Sequence, residues 1–166
     1  MWGDCDKVRL VDPALIDASS VVSQLVAEFV PFAAMAGSSV SISADTGVTG
    51  LFDQTALEEI VENLISNAIK YGAGGPIHVT LAGKDAELCF QVQDHGMGIS
   101  TADQARIFDQ FERVIAGRAT TGFGLGLWVV GQLVAAMAGK IEISSRPGEG
   151  STFTVRLPLN ATKEQS

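Results

Sequence analysis

The sequence predicts one α+β domain, a two-layer sandwich in which helices cover one face of a mixed, mostly antiparallel sheet. A central stretch has apolar residues at helical spacing, and several shorter stretches alternate between apolar and polar residues as strands do. The 166 residues are 46% apolar and 18% charged, which is typical of an ordered globular domain with a sizeable core.

Composition excludes several classes of function. The net charge of −8 argues against non-specific binding of nucleic acid, which needs clustered Lys and Arg. Cys5 and Cys89 form no disulfide framework, so a cytoplasmic location is expected, and Cys89 in its apolar run is interpreted as a core residue. No stretch is expected to span a bilayer, because the apolar run at residues 125–139 is too short, and no membrane contact is predicted.

The N-terminal third is predicted to contain short strands and one helix. Residues 8–11 predict a strand, and residues 15–30 carry apolar residues at helical spacing, with Pro31 expected to end the helix. Residues 40–42 and 50–52 predict two more short strands around a polar turn. The domain is expected to span residues 7–159. Residues 1–6 are interpreted as a linker or cloning remnant and residues 160–166 as a disordered tail.

The central helix has an unusual polar face. Its predicted start is a capping box formed by Thr55 and Glu58, and Gly72 opens the stretch that ends it. Asn63 and Asn67 lie one turn apart on the face opposite the apolar residues. Asn is a mediocre helix former, and amide oxygens are hard ligands that suit Mg²⁺. This face is therefore either a ligand site or a solvated polar surface.

The second half of the chain predicts a hairpin followed by helices and a second pair of strands. Residues 77–81 and 88–92 alternate around a turn at residues 83–85, which indicates an antiparallel hairpin. The remaining predicted elements are a short helix at residues 103–111, an apolar helix at residues 122–138, and strands at residues 140–144 and 151–157.

Two glycine-containing stretches are candidates for ligand contact. Asp94 ends a strand before Gly-x-Gly, so its carboxylate either accepts from an amine such as that of adenine or forms an Asx turn. The glycine-rich helix start at residues 122–126 suits phosphate, although it is neither a Walker P-loop nor a Rossmann fingerprint. His78 and His95 lack metal-ligand spacing and are interpreted as structural or surface residues.

Four motifs, in this order, resemble the conserved boxes of sensor histidine kinases. Residues 62–71 (ENLISNAIKY) resemble the N box, and residues 94–99 (DHGMGI) resemble the G1 box. Residues 107–113 (IFDQFER) resemble the F box, and residues 122–127 (GFGLGL) resemble the G2 box. One box alone would be weak evidence for this family. Four boxes in order, in a resemblance that covers residues 8–158, imply a Bergerat-fold ATP-binding domain of the GHKL superfamily.

The resemblance implies that the chain binds ATP and Mg²⁺. Asn67 would coordinate Mg²⁺ between the phosphates, with Asn63 assisting, and Asn63 and Lys70 would be the catalytic residues. Asp94 would accept a hydrogen bond from the adenine amino group. The other implied nucleotide-binding residues are Lys70, Tyr71, Gly96, Gly98, Ile99, Phe108, Arg113, Gly122, Phe123, Gly124, Leu125, Gly126 and Leu127.

The residue at position 63 distinguishes branches of the superfamily. The topoisomerase, mismatch-repair and chaperone ATPases that share this fold place a glutamate there to activate water. Asn63 has an amide, which cannot act as a general base, so phosphotransfer is favoured over hydrolysis.

The resemblance therefore implies a two-component histidine kinase domain that transfers the γ-phosphate to a histidine outside this chain. Its expected partners are a dimerisation and phosphoacceptor domain and, indirectly, a response regulator. Alone, it is expected to be monomeric and unable to autophosphorylate. The alternatives are a pseudokinase-like nucleotide-binding or docking module and an anti-sigma-type serine kinase.

Overall fold

The computed structural model describes residues 13–72, 74–104 and 123–159 of the chain, without the side chains of residues 123–126. The predicted strand at residues 8–11 and residues 105–111 of the predicted short helix lie outside this part. In chain order the described elements are β1 (Ala14–Asp17), α1 (Ala18–Met35), β2 (Val40–Ala44), β3 (Thr49–Phe52), α2 (Gln54–Tyr71), β4 (Ile77–Lys84), β5 (Glu87–Asp94), α3 (Thr101–Gln104), α4 (Phe123–Ala136), β6 (Lys140–Ser145) and β7 (Ser151–Pro158).

The main sheet has five strands in the order β2-β4-β5-β7-β6. Only the β2–β4 pair among them is parallel, and the other three pairs are antiparallel. Strands β1 and β3 form a separate antiparallel pair, which the sequence did not predict. The predicted mixed, mostly antiparallel sheet is thus confirmed.

One face of the main sheet is buried beneath the helices. Alternate residues of β4, β5 and β7 point into the core, and their neighbours point to a more polar, open face. Helix α2 lies between α1 and α4 and also contacts β5. This arrangement confirms the predicted two-layer α+β sandwich. The largest fully buried side chains include Phe52, Phe90, Leu57, Ile60, Leu64, Ile77 and Leu157.

Helix α1 differs from its prediction at both ends. Its first turn begins at Ala18, because Asp17 caps it by accepting the amides of Ser19 and Ser20 at 3.0 and 3.3 Å. The two residues before Asp17 belong to β1. Pro31 does not end the helix, which runs to Met35. Because Pro31 is exposed and lies in the last part of the helix, the lost hydrogen bond interrupts only the final turns.

The prediction that no stretch could span a bilayer is also corrected by α1. By length and composition, Ala18–Met35 is apolar enough to cross a membrane. In this structure its buried residues, such as Val22 and Val26, belong to the domain core.

Helix α2 begins with a different cap from the predicted one. Asp53 is the N-cap, and its Oδ1 accepts the amide of Ala56 at 3.1 Å. The Thr55–Glu58 capping box is therefore wrong, since Thr55 already lies within the helix and Glu58 accepts the Gln54 side-chain amide at 2.9 Å. The helix ends before Gly72, as predicted.

The β4–β5 hairpin has a tighter turn than predicted. Asp85 and Ala86 form its two-residue loop, both with positive φ (55° and 62°), as a type I′ turn requires. Register then places Leu88 and Phe90 in the core and Cys89 on the opposite face, where it is partly exposed. The interpretation of Cys89 as a core residue is wrong because strand alternation outweighs its apolar neighbours.

Leu159 joins the two sheets through its backbone. Its carbonyl accepts the Leu51 amide of β3 at 2.8 Å, and its own amide donates to the Ala86 carbonyl at 2.9 Å. The residue after β7 therefore links the small sheet to the hairpin turn of the large one.

Candidate functional site

Asn67 is a buried polar residue with an unused acceptor. It is 7% exposed on the inner side of α2. Its Oδ1 is buried and accepts no hydrogen bond from any residue that the structure describes. Such an atom is uncommon in a folded protein and costs stability of about 1–3 kcal/mol. An amide oxygen of this kind fits a hard cation such as Mg²⁺, so the residues present suit the predicted metal.

Asn63 lies one turn earlier on α2 and is half-buried. Its Nδ2 donates to the carbonyl of Glu59 at 2.8 Å. Because the amide nitrogen is held against the helix backbone, Oδ1 is the end of the amide directed away from that carbonyl. Asn63 can therefore offer an oxygen ligand while its nitrogen stays occupied.

Asp94 is the last residue of β5 and is only 5% exposed. Its Oδ1 accepts the Gly96 amide at 2.8 Å, so the Asx turn considered for this residue is present. A carboxylate has about four acceptor positions, which leaves capacity for an amine donor from a ligand as well.

The charge state of Asp94 reflects its burial. Desolvation raises the pKa of the Asp94 carboxyl, and the backbone amides of Gly96 and Ser151 and the nearby His95 oppose this rise. A hydrogen-bond donor that reaches this buried carboxylate would therefore stabilise its charged form.

Glycines allow the loop after β5 to pack against two neighbouring segments. A Cβ on Gly96 would lie 1.9 Å from the carbonyl oxygen of Tyr71, at the end of α2. A Cβ on Gly98, whose φ is +72°, would lie 1.9 Å from the carbonyl oxygen of Arg146, before β7. The loop thus holds Asp94 against the C-terminal end of the helix that carries Asn67.

The hydroxyl of Ser145 fixes the far end of this loop. It accepts the Ile99 amide at 2.8 Å and lies 2.8 Å from both the Gly150 carbonyl and the Ser151 hydroxyl. Gln104 adds two bonds, from its Nε2 to the carbonyls of Ile99 and Ser145 at 2.8 and 2.9 Å. Sequence patterns did not predict the role of Ser145, because a serine at a strand end is not distinctive.

The remaining predicted site residues differ in exposure, and some lie outside the described part of the chain. Lys70 is exposed and Tyr71 half-buried at the end of α2, and each makes an interaction there. Leu127 is 5% exposed and its side chain packs in the core, so only its backbone is available to a ligand. Phe108, Arg113 and Gly122 lie outside the described residues. Phe123, Gly124, Leu125 and Gly126 form the first turn of α4.

The two histidines come together on the surface, which the sequence did not predict. The rings of His78 and His95 meet edge to face, with centroids 5.7 Å apart. His78 Nδ1 also lies 2.9 Å from the Ser41 hydroxyl. Both rings are exposed, in keeping with their interpretation as structural or surface residues.

Comparison with known families decides the assignment. Residues 52–161 match the profile of the family described as histidine kinase-, DNA gyrase B-, and HSP90-like ATPase. The chain belongs to this family. The match includes α2 with its two asparagines, the Asp94 loop and the start of α4.

Relatives within this ATPase family are sensor kinases. The sensor-like histidine kinase SenX3 of Mycolicibacterium smegmatis is 37% identical over 153 residues, which are 90% of this chain and 40% of SenX3. The sensor histidine kinase RcsC of Escherichia coli is 34% identical over the same length, 16% of RcsC. The chain thus spans two-fifths or less of these relatives.

Solved structures show the same fold. Full-length ShkA in complex with AMPPNP superposes with a TM-score of 0.80 at 29% identity, over 92% of this chain and 32% of ShkA. The catalytic domain of the histidine kinase ThkA gives a TM-score of 0.81 at 20% identity, over 92% of this chain and 99% of that domain. The chain is homologous to the ATP-binding domains of sensor histidine kinases, which confirms the resemblance found in its motifs.

Proposed function

We propose that this domain binds Mg-ATP and transfers the γ-phosphate to a histidine of a separate dimerisation and phosphoacceptor domain. The observation that carries the proposal is the buried, unpartnered Oδ1 of Asn67 on a helix whose end contacts the Asp94 loop. One ligand with a metal-bound phosphate at one end and an amine donor at the other would complete both groups. Adenine nucleotides have this chemistry, and AMPPNP is the compound named with ShkA.

On the metal side, α2 would supply the ligands. Asn67 would bind Mg²⁺ through Oδ1, and Asn63 would add a second oxygen while its nitrogen stays on the Glu59 carbonyl. Lys70, exposed in the last turn, would contact phosphate. The metal would neutralise charge on the phosphates during transfer.

On the base side, Asp94 would accept the exocyclic amine of adenine. The Gly96 amide fixes the orientation of its carboxylate, and Ser145 fixes the loop through Ile99. Tyr71 and Ile99 are half-buried next to this loop and would line the nucleotide, with Gly96 and Gly98 shaping the wall.

The remaining contacts would come from the segment that leads into α4. The first amides of that helix, at Phe123, Gly124, Leu125 and Gly126, would face phosphate oxygens, with a backbone contribution from Leu127. Phe108, Arg113 and Gly122 are proposed to cover the nucleotide from the same side.

Transfer rather than hydrolysis follows from Asn63. Its amide cannot take a proton from water, and its nitrogen is already donating to a carbonyl. The attacking group is then the imidazole of a partner histidine, aligned in the cytoplasm with the γ-phosphate. A response regulator would receive the phosphate afterwards, and the isolated domain would be monomeric.

The first test is calorimetric titration of the chain with ATP, with and without Mg²⁺. We expect binding that strengthens with Mg²⁺, and phosphate transfer once a dimerisation and phosphoacceptor domain from a relative is added. Asn67→Ala should remove the Mg²⁺-dependent part, whereas Gln24→Ala, an exposed helical amide on α1, should not. Equal Mg²⁺ dependence in both variants would exclude Asn67 as the metal ligand. Absence of ATP binding would overturn the proposal.

A further inference from the structure

A groove runs between α1 and α2 on the outside of the domain. It encloses about 360 Å³. Phe29 lines it from α1, and Glu58, Glu59 and Glu62 line it from α2, with Asn63 also on its wall. Because Asn63 is also a proposed Mg²⁺ ligand, the groove adjoins the proposed nucleotide site.

The groove concentrates negative charge from both helices. The carboxylates of Glu58, Glu59 and Glu28 lie close enough to that of Glu62 to repel it. Glu28 belongs to α1, so the repulsion acts across the groove. In the part of the chain that the structure describes, none of these four carboxylates has an ion pair with Lys or Arg.

Exposed apolar side chains follow Phe29 along α1. The rings of Phe29 and Phe32 lie with centroids 6.0 Å apart, and Phe32 is 61% exposed. Met35 follows at the next helical spacing and is 85% exposed. Phe29 therefore connects a row of carboxylates on α2 to exposed apolar side chains on α1.

A ligand that is only anionic, only cationic or only apolar would not complement both the carboxylates and the apolar side chains. An anionic ligand or an anionic membrane would be repelled by the glutamates. A divalent cation would relieve their repulsion but leave Phe32 and Met35 in water. A purely apolar partner would desolvate four charges without pairing them.

A helix with a row of Lys or Arg next to a row of aliphatic residues would complement both the glutamates and the apolar side chains. We propose that this groove is the docking site for a basic amphipathic helix of a partner protein. The basic row would pair with Glu58, Glu59 and Glu62, and the aliphatic row would cover Phe29, Phe32 and Met35.

A synthetic amphipathic peptide made of Leu and Lys is the probe, and a Leu and Glu peptide of the same pattern is its control. We expect only the Lys peptide to bind, by fluorescence anisotropy. The triple variant Glu58→Gln, Glu59→Gln, Glu62→Gln should weaken binding by roughly tenfold or more. Phe32→Ser, at a position that is already exposed, should weaken it by about tenfold through the apolar half.

The matched control removes the same charge elsewhere. Asp85→Asn, Glu87→Gln and Glu149→Gln together alter exposed carboxylates outside the groove and should leave the affinity within about twofold. Equal weakening by both triple variants would show attraction to net charge and overturn the proposal. Unchanged binding in Phe32→Ser would also overturn it. ATP titration of each variant tests the nucleotide site separately.

Discussion

Asp94 and Asn67 are both almost fully buried polar residues, but the protein satisfies only one of them. The Asp94 carboxylate receives backbone amides and sits in a loop tied down by Gly96, Gly98 and Ser145. The Asn67 oxygen has no hydrogen-bond partner among the residues that the structure describes. The protein itself thus orients the Asp94 carboxylate, whereas the proposed metal would be the partner of the Asn67 oxygen.

This contrast predicts that some substitutions affect mainly stability and others mainly ligand binding. Changes to the loop packing should destabilise the folded protein, because its backbone contacts leave no space. Changes to the two polar side chains should affect ligand binding more than folding, because Asp94 carries a desolvated charge and Asn67 Oδ1 has no partner among the described residues.

The largest effect is expected from Gly96→Ala. The new Cβ would collide with the Tyr71 carbonyl, which is backbone and cannot rotate away. We expect about 3 kcal/mol of destabilisation or more, or roughly 6–12 °C in Tm, measured by calorimetry. Gly75→Ala is the control, because the nearest atoms to its Cβ lie 3.4 Å away. Similar Tm values for the two variants would contradict the rigid packing of this loop.

The next effect is a loss of affinity in Asp94→Asn. Replacing the charged acceptor should weaken ATP binding by about 2–3 kcal/mol, which is about 30- to 150-fold, by isothermal titration. The Tm of the ligand-free variant should stay the same or rise, because a desolvated charge is removed. Unchanged ATP affinity would exclude Asp94 from the site.

Asn67→Ala should likewise weaken Mg²⁺-dependent ATP binding while changing the stability of the ligand-free protein little. Losing a buried oxygen without a partner offsets the lost packing, so we expect the ligand-free Tm to change by no more than about 4 °C. A large drop in Tm would mean that Asn67 has a structural role in the core of the empty domain.

A smaller effect is expected from pH. Because the pKa of Asp94 is raised in the folded state, its charge lowers stability at neutral pH. That cost disappears as pH falls through the raised pKa towards the ordinary value of about 3.9. Over the same range protonation removes an acceptor, so ATP affinity should fall. The ratio of wild-type to Asp94→Asn affinity isolates this effect, since the nucleotide titrates equally in both. A ratio independent of pH would contradict it.

The smallest effect is expected from Ser145→Ala. The Ile99 amide loses its acceptor, which should cost about 1 kcal/mol in urea unfolding and weaken ATP binding only slightly. Ser144→Ala, an exposed neighbour on β6, should be neutral. Equal midpoints for the two variants would show that Ser145 does not fix the loop.

The sequence predicted the layers and the polar face of α2 because both depend on spacing along the chain. The spacing of Asn63 and Asn67 placed them on one face, and the alternation of β4 and β5 gave the hairpin. It could not predict the Asp53 cap, since two capping signals overlap there, or the helix continuing past Pro31. The contacts of Ser145 join segments distant in sequence, and the contact between His78 and His95 depends on the hairpin register. Local sequence patterns predict neither.

Leu159 has a practical consequence for dissecting this protein. Among the described residues, its backbone joins both β3 and the β4–β5 turn. A fragment cut after Pro158 would leave the Leu51 amide without its acceptor and the Ala86 carbonyl without its donor. Chimeras that exchange this domain between proteins should therefore place their junction beyond Leu159.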